Sequence, residues 1–224
     1  MELKNKTIVI TGGTKGLGKS LSVFFKKENA NVAVCTINEE ELMSLPEGIL
    51  GIKADVTKED DLNNLLEIVK AKFGQVDIWI NNAGIWLPHA FAEDFDMDKV
   101  KKMFEVNVLG LMHGSRVALR FMKEREMGTI VNIISDSALE GKPMSSTYSS
   151  SKWAANGFTK SIREENKNIL VLSVYPGPIK TDIFGENKPR EYDSFMSPDF
   201  VANTIIENIK KEIPEEELII KQIV

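Results

Sequence analysis

The chain has 224 residues, 42% of them hydrophobic and 27% charged, with a formal net charge of -5. That length suits one domain with a sizeable core, and the mildly acidic balance points to neither nucleic acid nor an anionic membrane surface as the main partner. Cys35 is the only cysteine, which excludes an intrachain disulfide, and no apolar run approaches the ~18 residues of a membrane span.

The N-terminal residues are charged and lead straight into an apolar run, so we expect no signal peptide and a cytoplasmic protein. Thr7 to Ile10 is a β-branched apolar run, read as a strand, that ends in Thr11-Gly12-Gly13-Thr14-Lys15-Gly16-Leu17-Gly18. An amphipathic pattern through Leu21, Phe24 and Phe25 follows. Strand, glycine-rich turn and helix start form the arrangement in which backbone N–H groups hold a phosphate. The spacing G-x-x-x-G-x-G differs from the commoner dinucleotide fingerprint G-x-G-x-x-G, and glycines also serve wherever a turn needs positive φ.

Val32 to Cys35 reads as the second strand, with a helix from Glu39, and Ile49 to Lys53 as the third, followed by Asp55 and Val56. Lys58 to Phe73 is apolar at Leu62, Leu65, Leu66, Ile68, Val69 and Phe73, with acids in its first turn, and predicts an amphipathic helix. Ile78 to Ile80 leads into Asn81-Asn82-Ala83-Gly84. The spacing then predicts a helix over roughly Met97 to Glu126, a strand Thr129 to Ile134, a helix from about Thr147 to Asn166 and a strand Leu170 to Tyr175. A helix Pro198 to Lys211 and a final strand Leu218 to Val224 complete the chain. Short apolar strands alternating with amphipathic helices imply crossover units. We predict a three-layer α/β/α Rossmann fold, a doubly wound parallel sheet of about seven strands in one domain spanning residues 1–224.

In such sheets ligands bind outside the carboxyl ends of the strands, and the chemistry-bearing segments all fall there. The glycine turn follows the first strand, Thr36 the second, Asp55 the third, Asn82 to Gly84 the fourth, Ser135 the fifth and Pro176-Gly177 the sixth. Tyr148 and Lys152 are four residues apart, so on a helix the phenol and the ammonium share a face. A phenol with an ordinary pKa near ~10 is a poor proton relay at neutral pH, and a nearby cation favours its ionised form. Ser135, from another segment, could bond the same reacting oxygen. Together they are equipped to move a proton on or off a carbonyl or carbinol oxygen.

These motifs resemble the short-chain dehydrogenase/reductase family over Lys6 to about Ile209: Thr11-Gly12-x-x-x-Gly16-x-Gly18, Asn81-Asn82-Ala83-Gly84, Asn107, Ser135, Tyr148, Lys152 and Pro176-Gly177-x-x-x-Thr181. The resemblance implies a hydride transfer between a nicotinamide and a carbonyl or secondary alcohol, with the hydride chemistry belonging to the cofactor. Tyr148 would be the general acid or base, Lys152 would lower its pKa and bond the nicotinamide ribose, and Ser135 would polarise the substrate oxygen. Asn107 would hold a water linking Lys152 to solvent, or satisfy backbone at a helix irregularity. Thr181 would contact the carboxamide beside Pro176, Gly177 and Ile179. The glycine turn with Thr14 and Leu17, and Asn82, Ala83 and Gly84, would line the dinucleotide. Asp55 would face the adenine amino group with Val56 beside the ring, unless it serves as a helix cap near Thr57.

NAD-using members place an acid after the second strand for the ribose 2′-hydroxyl, whereas Thr36 and Ile37 stand there in this chain. Lys15, inside the glycine turn, could pair with a 2′-phosphate. Both features favour NADP(H), with NAD(H) left possible, although relatives using NADP often carry arginine near position 37. Candidates for the substrate wall are Ile85, Trp86, Leu87, Asp136 to Leu139, Met144, Pro178, Ile179 and Phe184, under a short lid over residues 182–197. This mostly apolar lining suits a hydrophobic ketone or aldehyde. His89 and His113 read as structural or exposed, and no metal site is expected. The apolar stripe along Val100 to Met122 makes pairing of copies plausible, as homodimer or homotetramer. Two other readings stay open: an NAD-dependent alcohol dehydrogenase of the same fold, and a non-catalytic dinucleotide-binding sensor or scaffold.

Overall fold

The computed structural model describes residues 1–222. Strand β1 (Thr7–Thr11) turns into helix α1 (Gly16–Lys27), followed by β2 (Asn31–Thr36), the one-turn helix α2 (Glu39–Leu42), β3 (Ile49–Lys53) and α3 (Glu59–Phe73). Then come β4 (Ile78–Asn81), α4 (Met97–Phe104), a π-helical stretch Glu105–Gly110 and α5 (Leu111–Arg125). The order ends with β5 (Thr129–Ile133), α6 (Ser146–Glu165), β6 (Leu170–Pro176), α7 (Pro198–Lys210) and β7 (Glu217–Ile220). All seven strands pair in parallel, in the order β3-β2-β1-β4-β5-β6-β7. The predicted last strand is shorter than expected; Ile223 and Val224 lie outside the described residues.

Alternation along the strands assigns the two faces. Ile8 and Ile10 of β1 pack with Leu21 and Phe25 of α1 and with Val201, Ile205 and Ile209 of α7. Val9, between them, packs with Leu62, Leu65 and Val69 of α3, Val117 and Met122 of α5, and Ile162 of α6. Neither face of the sheet is open to water, so the strands read as near-continuous apolar runs. Acids Glu59, Asp60 and Asp61 open α3 and Lys70 and Lys72 close it, which complements its dipole at both ends.

Among these apolar layers sits one polar network. Asn81 on β4 donates to Ser115 Oγ at 2.9 Å and to its register partner Asn132 Oδ1 at 2.8 Å, and it accepts from Trp79 Nε1 at 2.9 Å. Asn132 in turn donates to Thr159 Oγ1 at 2.9 Å. Because an unpartnered buried polar group costs about 1–3 kcal/mol, such a satisfied set fixes β4, β5, α5 and α6 in one register.

Where the sequence predicts one helix from Met97 to Glu126, the structure has two helices joined by the π-helical stretch. Wider turns of this kind recur at functional sites, and this one carries Asn107 to the carboxyl edge of the sheet. The chain reverses direction across the sheet between β1 and β4, and the crevice opens at their carboxyl ends.

Candidate active site

A cavity of about 760 Å³ runs along that crevice, from Asp55 and Val56 past the glycine turn to Ser135, Tyr148, Lys152 and the segment after β6. Of the residues singled out from the sequence, Gly12, Lys15, Gly16, Leu17, Gly18, Thr36, Ile37, Asp55, Val56, Asn82, Ala83 and Gly84 line it. So do Trp86, Ser135, Tyr148, Lys152, Pro176, Gly177, Ile179, Thr181 and Phe184. Thr14 and Asn107 stand behind the wall, and Met144 does not line the cavity.

The glycine turn is built for close approach. Asn82 Nδ2 donates to the carbonyls of Thr11 and Gly12, both at 3.0 Å, and Thr11 Oγ1 accepts from the N–H groups of Asn82 and Ala83. Gly16 has φ +50°, and a Cβ there would lie 3.0 Å from Thr181 Cγ2, from beyond β6. The start of α1 is also left open. Its N-cap Lys15 makes no side-chain capping bond and no acid sits in the first turn. Asp96 caps α4 and Ser197 caps α7, whereas α6 opens without a capping bond or a first-turn acid, as α1 does; what sets α1 apart is the glycine turn before it. An N-terminus with free N–H groups, held beside a crevice where side chains are excluded, fits the pyrophosphate of a dinucleotide.

At the other end, Ser135 is only 7% exposed. Its hydroxyl donates to Asp136 Oδ1 at 3.1 Å and accepts from the N–H of Ser137 at 3.1 Å, while Lys142 Nζ holds Asp136 Oδ2 at 2.7 Å. The Asp136–Lys142 pair was not singled out from the sequence as a charged pair; only the fold brings the two side chains together. Tyr148, half-buried on the first turn of α6, presents its ring with Lys152 Nζ 5.7 Å from the centroid.

The expectation that Lys152 holds the phenol's pKa down requires correction for the protein by itself. Burial pushes Tyr148 up to about 12; the Ser135 hydroxyl pulls against this and the Asp136 carboxylate adds to it. Burial also brings Lys152 down to about 8. The physical reason is shared desolvation: the ammonium donates to the carbonyl of Ile133 at 3.3 Å rather than to the phenol.

Asn107, 1% exposed, has its amide committed to its surroundings. Its Oδ1 accepts from the N–H of Ile85 at 2.8 Å, and its Nδ2 donates to the Ile85 carbonyl at 2.9 Å and to Ser151 Oγ at 3.2 Å. It therefore fastens the chain after Gly84 to the π-helical stretch and α6. Asp55 lines the cavity and also makes a turn: its Oδ1 accepts from the N–H and the hydroxyl of Thr57, at 2.9 and 2.8 Å. Met144 has φ +58° and its carbonyl accepts from Ala90, so this residue closes a loop contact instead of forming substrate wall. Leu87, Ala138 and Leu139 likewise fall outside the cavity lining.

Residues 182–197 fold into two 3₁₀ turns, Asp182–Phe184 and Tyr192–Ser194, tied at the base by the Ile179–Met196 bridge. Phe184 meets Trp86 edge-on at 5.1 Å between ring centres and also touches Tyr192 and Phe195, and His89 meets Trp86 edge-on as well, at 5.4 Å. An aromatic roof thus stands beside Ser135 and Tyr148. His113 bonds the Val56 carbonyl at 3.1 Å. Among the described residues no cluster could hold a metal ion, and no helix is long and apolar enough to cross a membrane.

Glu41 is a second group that only the fold brings to the site. Lys15, expected to stand free for a 2′-phosphate, is paired with Glu41 of α2 at 2.7 Å. The same carboxylate accepts from Thr14 Oγ1 and from Thr36 Oγ1, the latter at 3.1 Å.

The family model for short chain dehydrogenases matches residues 6–192. An uncharacterized oxidoreductase of Bacillus subtilis (strain 168), YxnA, is 32% identical over 92% of this chain, which spans 63% of that protein's length. The structure of ElxO with NADP bound aligns with TM-score 0.85 and 30% identity over 96% of each chain. The 3-ketoacyl-(acyl-carrier-protein) reductase of Brucella melitensis, complexed with NADH, aligns with TM-score 0.89 and 25% identity over 97% of each chain.

Proposed function

From the premise that this chain belongs to the short-chain dehydrogenase family, we propose that it is an NADP(H)-dependent reductase of carbonyl compounds in which Tyr148 is the general acid. The observation that carries this reading is the meeting of Ser135, Tyr148 and Lys152 in the same cavity as the glycine turn and the open end of α1. Bound NADP(H) would supply the hydride chemistry. Its pyrophosphate would lie on α1, its adenosine between Thr36 and Asp55, and its nicotinamide beside Pro176, Ile179 and Thr181. Ser135 would rotate its hydroxyl from Asp136 to the substrate oxygen, and Tyr148 would give that oxygen a proton. Lys152 would replace the phenol's proton and bond the ribose. Asn107 acts as a positioning residue through Ile85 and Ser151.

A phenol raised by burial stays protonated through the neutral range, so the proton that carbonyl reduction consumes is present on Tyr148. The lack of an acid at positions 36 and 37 themselves, and NADP in a structure at 30% identity, support NADP(H), while the Glu41 carboxylate folded back on Thr36 and Lys15 works against it. The roof of Trp86, Phe184 and Phe195 supports an apolar substrate. Cytoplasmic location and a homodimer or homotetramer complete the reading; half-exposed Leu109 and Trp153 on neighbouring helical segments support pairing of copies.

The test is a fluorescence titration with NADPH and NADH side by side, followed by turnover on a panel of apolar ketones and aldehydes. Tighter NADPH binding with turnover is expected; tighter NADH binding would overturn the cofactor preference, and binding of neither would overturn the enzyme reading.

The pH profile should carry the mark of Lys152. Its pKa is lowered to about 8 by burial, so it is charged below that pH and neutral above it. Reductive kcat/KM, which reports the free enzyme, should be level through neutral pH and fall as pH rises past about 8. A profile level to pH ~10, the ordinary lysine range, would remove Lys152 from the proton path.

A further inference from the structure

Three donors from three elements converge on one carboxylate at the carboxyl ends of β1 and β2. Thr14 Oγ1 and Thr36 Oγ1 both donate to Glu41 Oε2, and Lys15 Nζ stands 2.7 Å from Oε1. Thr14 and Thr36 are buried, the Glu41 side chain is 17% exposed, and the α2 turn that carries it buries no residue of its own. Burial alone would raise the Glu41 carboxyl, but Lys15, Thr14 and Thr36 together hold it below the usual carboxylate range, so it is ionised at neutral pH.

The Thr36 hydroxyl and the Lys15 ammonium both face the cavity, and a hydroxyl with an ammonium is also what a phosphate monoester asks of a site. In doubly wound sheets, the end of the second strand is where the adenosine ribose presents its 2′-position. We propose that Glu41 sets the cofactor preference of this chain by competing with the 2′-phosphate of NADP(H) for Lys15 and Thr36, the two of its three partners that line the cavity. The proposal rests on the cofactor reading above and adds the residue that tunes it. Carboxylate and phosphate cannot share these donors, because like charges repel across hydrogen-bonding distance. NADP(H) must therefore turn the Glu41 side chain out toward solvent, breaking the pair with Lys15. The single-turn α2 makes that movement local. NADH brings an uncharged 2′-hydroxyl and displaces nothing.

The experiment is a fluorescence titration of wild type, Glu41→Gln and Glu41→Asp with NADPH and with NADH, with circular dichroism to check the fold of each. Glutamine keeps the side-chain length and an oxygen for the two threonines but removes the charge. Loss of a charge-assisted competitor should tighten NADPH binding by about tenfold, leaving NADH within about twofold. Aspartate, one methylene shorter, should give a smaller gain of the same sign and serves if the glutamine variant does not fold. NADPH affinity that is unchanged or weaker in both variants would overturn the proposal. Weaker NADH with unchanged NADPH would make Glu41 an acceptor for the 2′-hydroxyl, which also overturns it. The two readings fail separately. Wild type favouring NADH while Glu41→Gln gains on NADPH would sink the NADP(H) preference and keep the role of Glu41. Wild type favouring NADPH with no gain in the variants would do the reverse.

Discussion

Tyr148→Phe should lower reductive kcat by more than ~100-fold while leaving the affinity for NADPH within about twofold. The substitution deletes one hydroxyl and keeps the ring, which packs at the cavity wall with Lys152 Nζ 5.7 Å from its centre. Lys152 loses no hydrogen bond, since it donates to the Ile133 carbonyl. Ser135 keeps Asp136 and the N–H of Ser137, so the substrate oxygen would still find a donor but no acid of matched position. Its hydroxyl has an ordinary pKa far above that of a phenol and cannot take over the transfer. Stopped reactions with saturating NADPH give kcat, and the titration gives the affinity. Activity within tenfold of wild type would move the proton donor elsewhere, Lys152 through a water being the first alternative. If kcat and affinity fell together, the phenol would be holding cofactor and not only giving a proton.

What the sequence made legible was whatever depends on short-range pattern. Apolar strands, amphipathic helices and the glycine turn placed every strand within a few residues. The rule that ligands gather at strand carboxyl ends was enough to bring Ser135, Tyr148 and the glycine turn into one cavity. What it missed depends on contacts between distant segments. Glu41 looks like one acid in an exposed run of three, and nothing local says that its carboxylate reaches back to Thr14 and Lys15. Lys142 likewise looks solvated until Asp136 is set beside it. The π-helical stretch at Glu105–Gly110 was announced only by the helix irregularity offered as one reading of Asn107, because its other residues suit an ordinary helix; the wider turn goes with Asn107 bonding Ile85, 22 residues earlier in the chain. The phenol's raised pKa was missed for the opposite reason. Spacing supplied the neighbouring cation but said nothing of the desolvation that outweighs it.

Gly18→Ala tests the other half of the site, and the geometry makes the expected effect large. A Cβ at Gly18 would lie 2.2 Å from the Gly12 carbonyl oxygen and 2.6 Å from Asn82 Nδ2. Neither can withdraw freely: the carbonyl accepts from that same amide, which also holds Thr11. The first turn of α1 must then move away from the crevice, taking with it the N–H groups that suit a pyrophosphate. Losing one or two charge-assisted N–H bonds to the pyrophosphate, about 1.5–3 kcal/mol each, should lower cofactor affinity by about 100-fold. Gly157→Ala on α6 is the control, since a Cβ there meets nothing within 4 Å and alanine should stabilise the helix by up to about 1 kcal/mol. Thermal melts separate the two causes. A folded Gly18→Ala protein that still bound NADPH as tightly as wild type would mean that the dinucleotide does not lie on α1, and Lys15, Glu41 and Thr181 would lose their assigned neighbours with it.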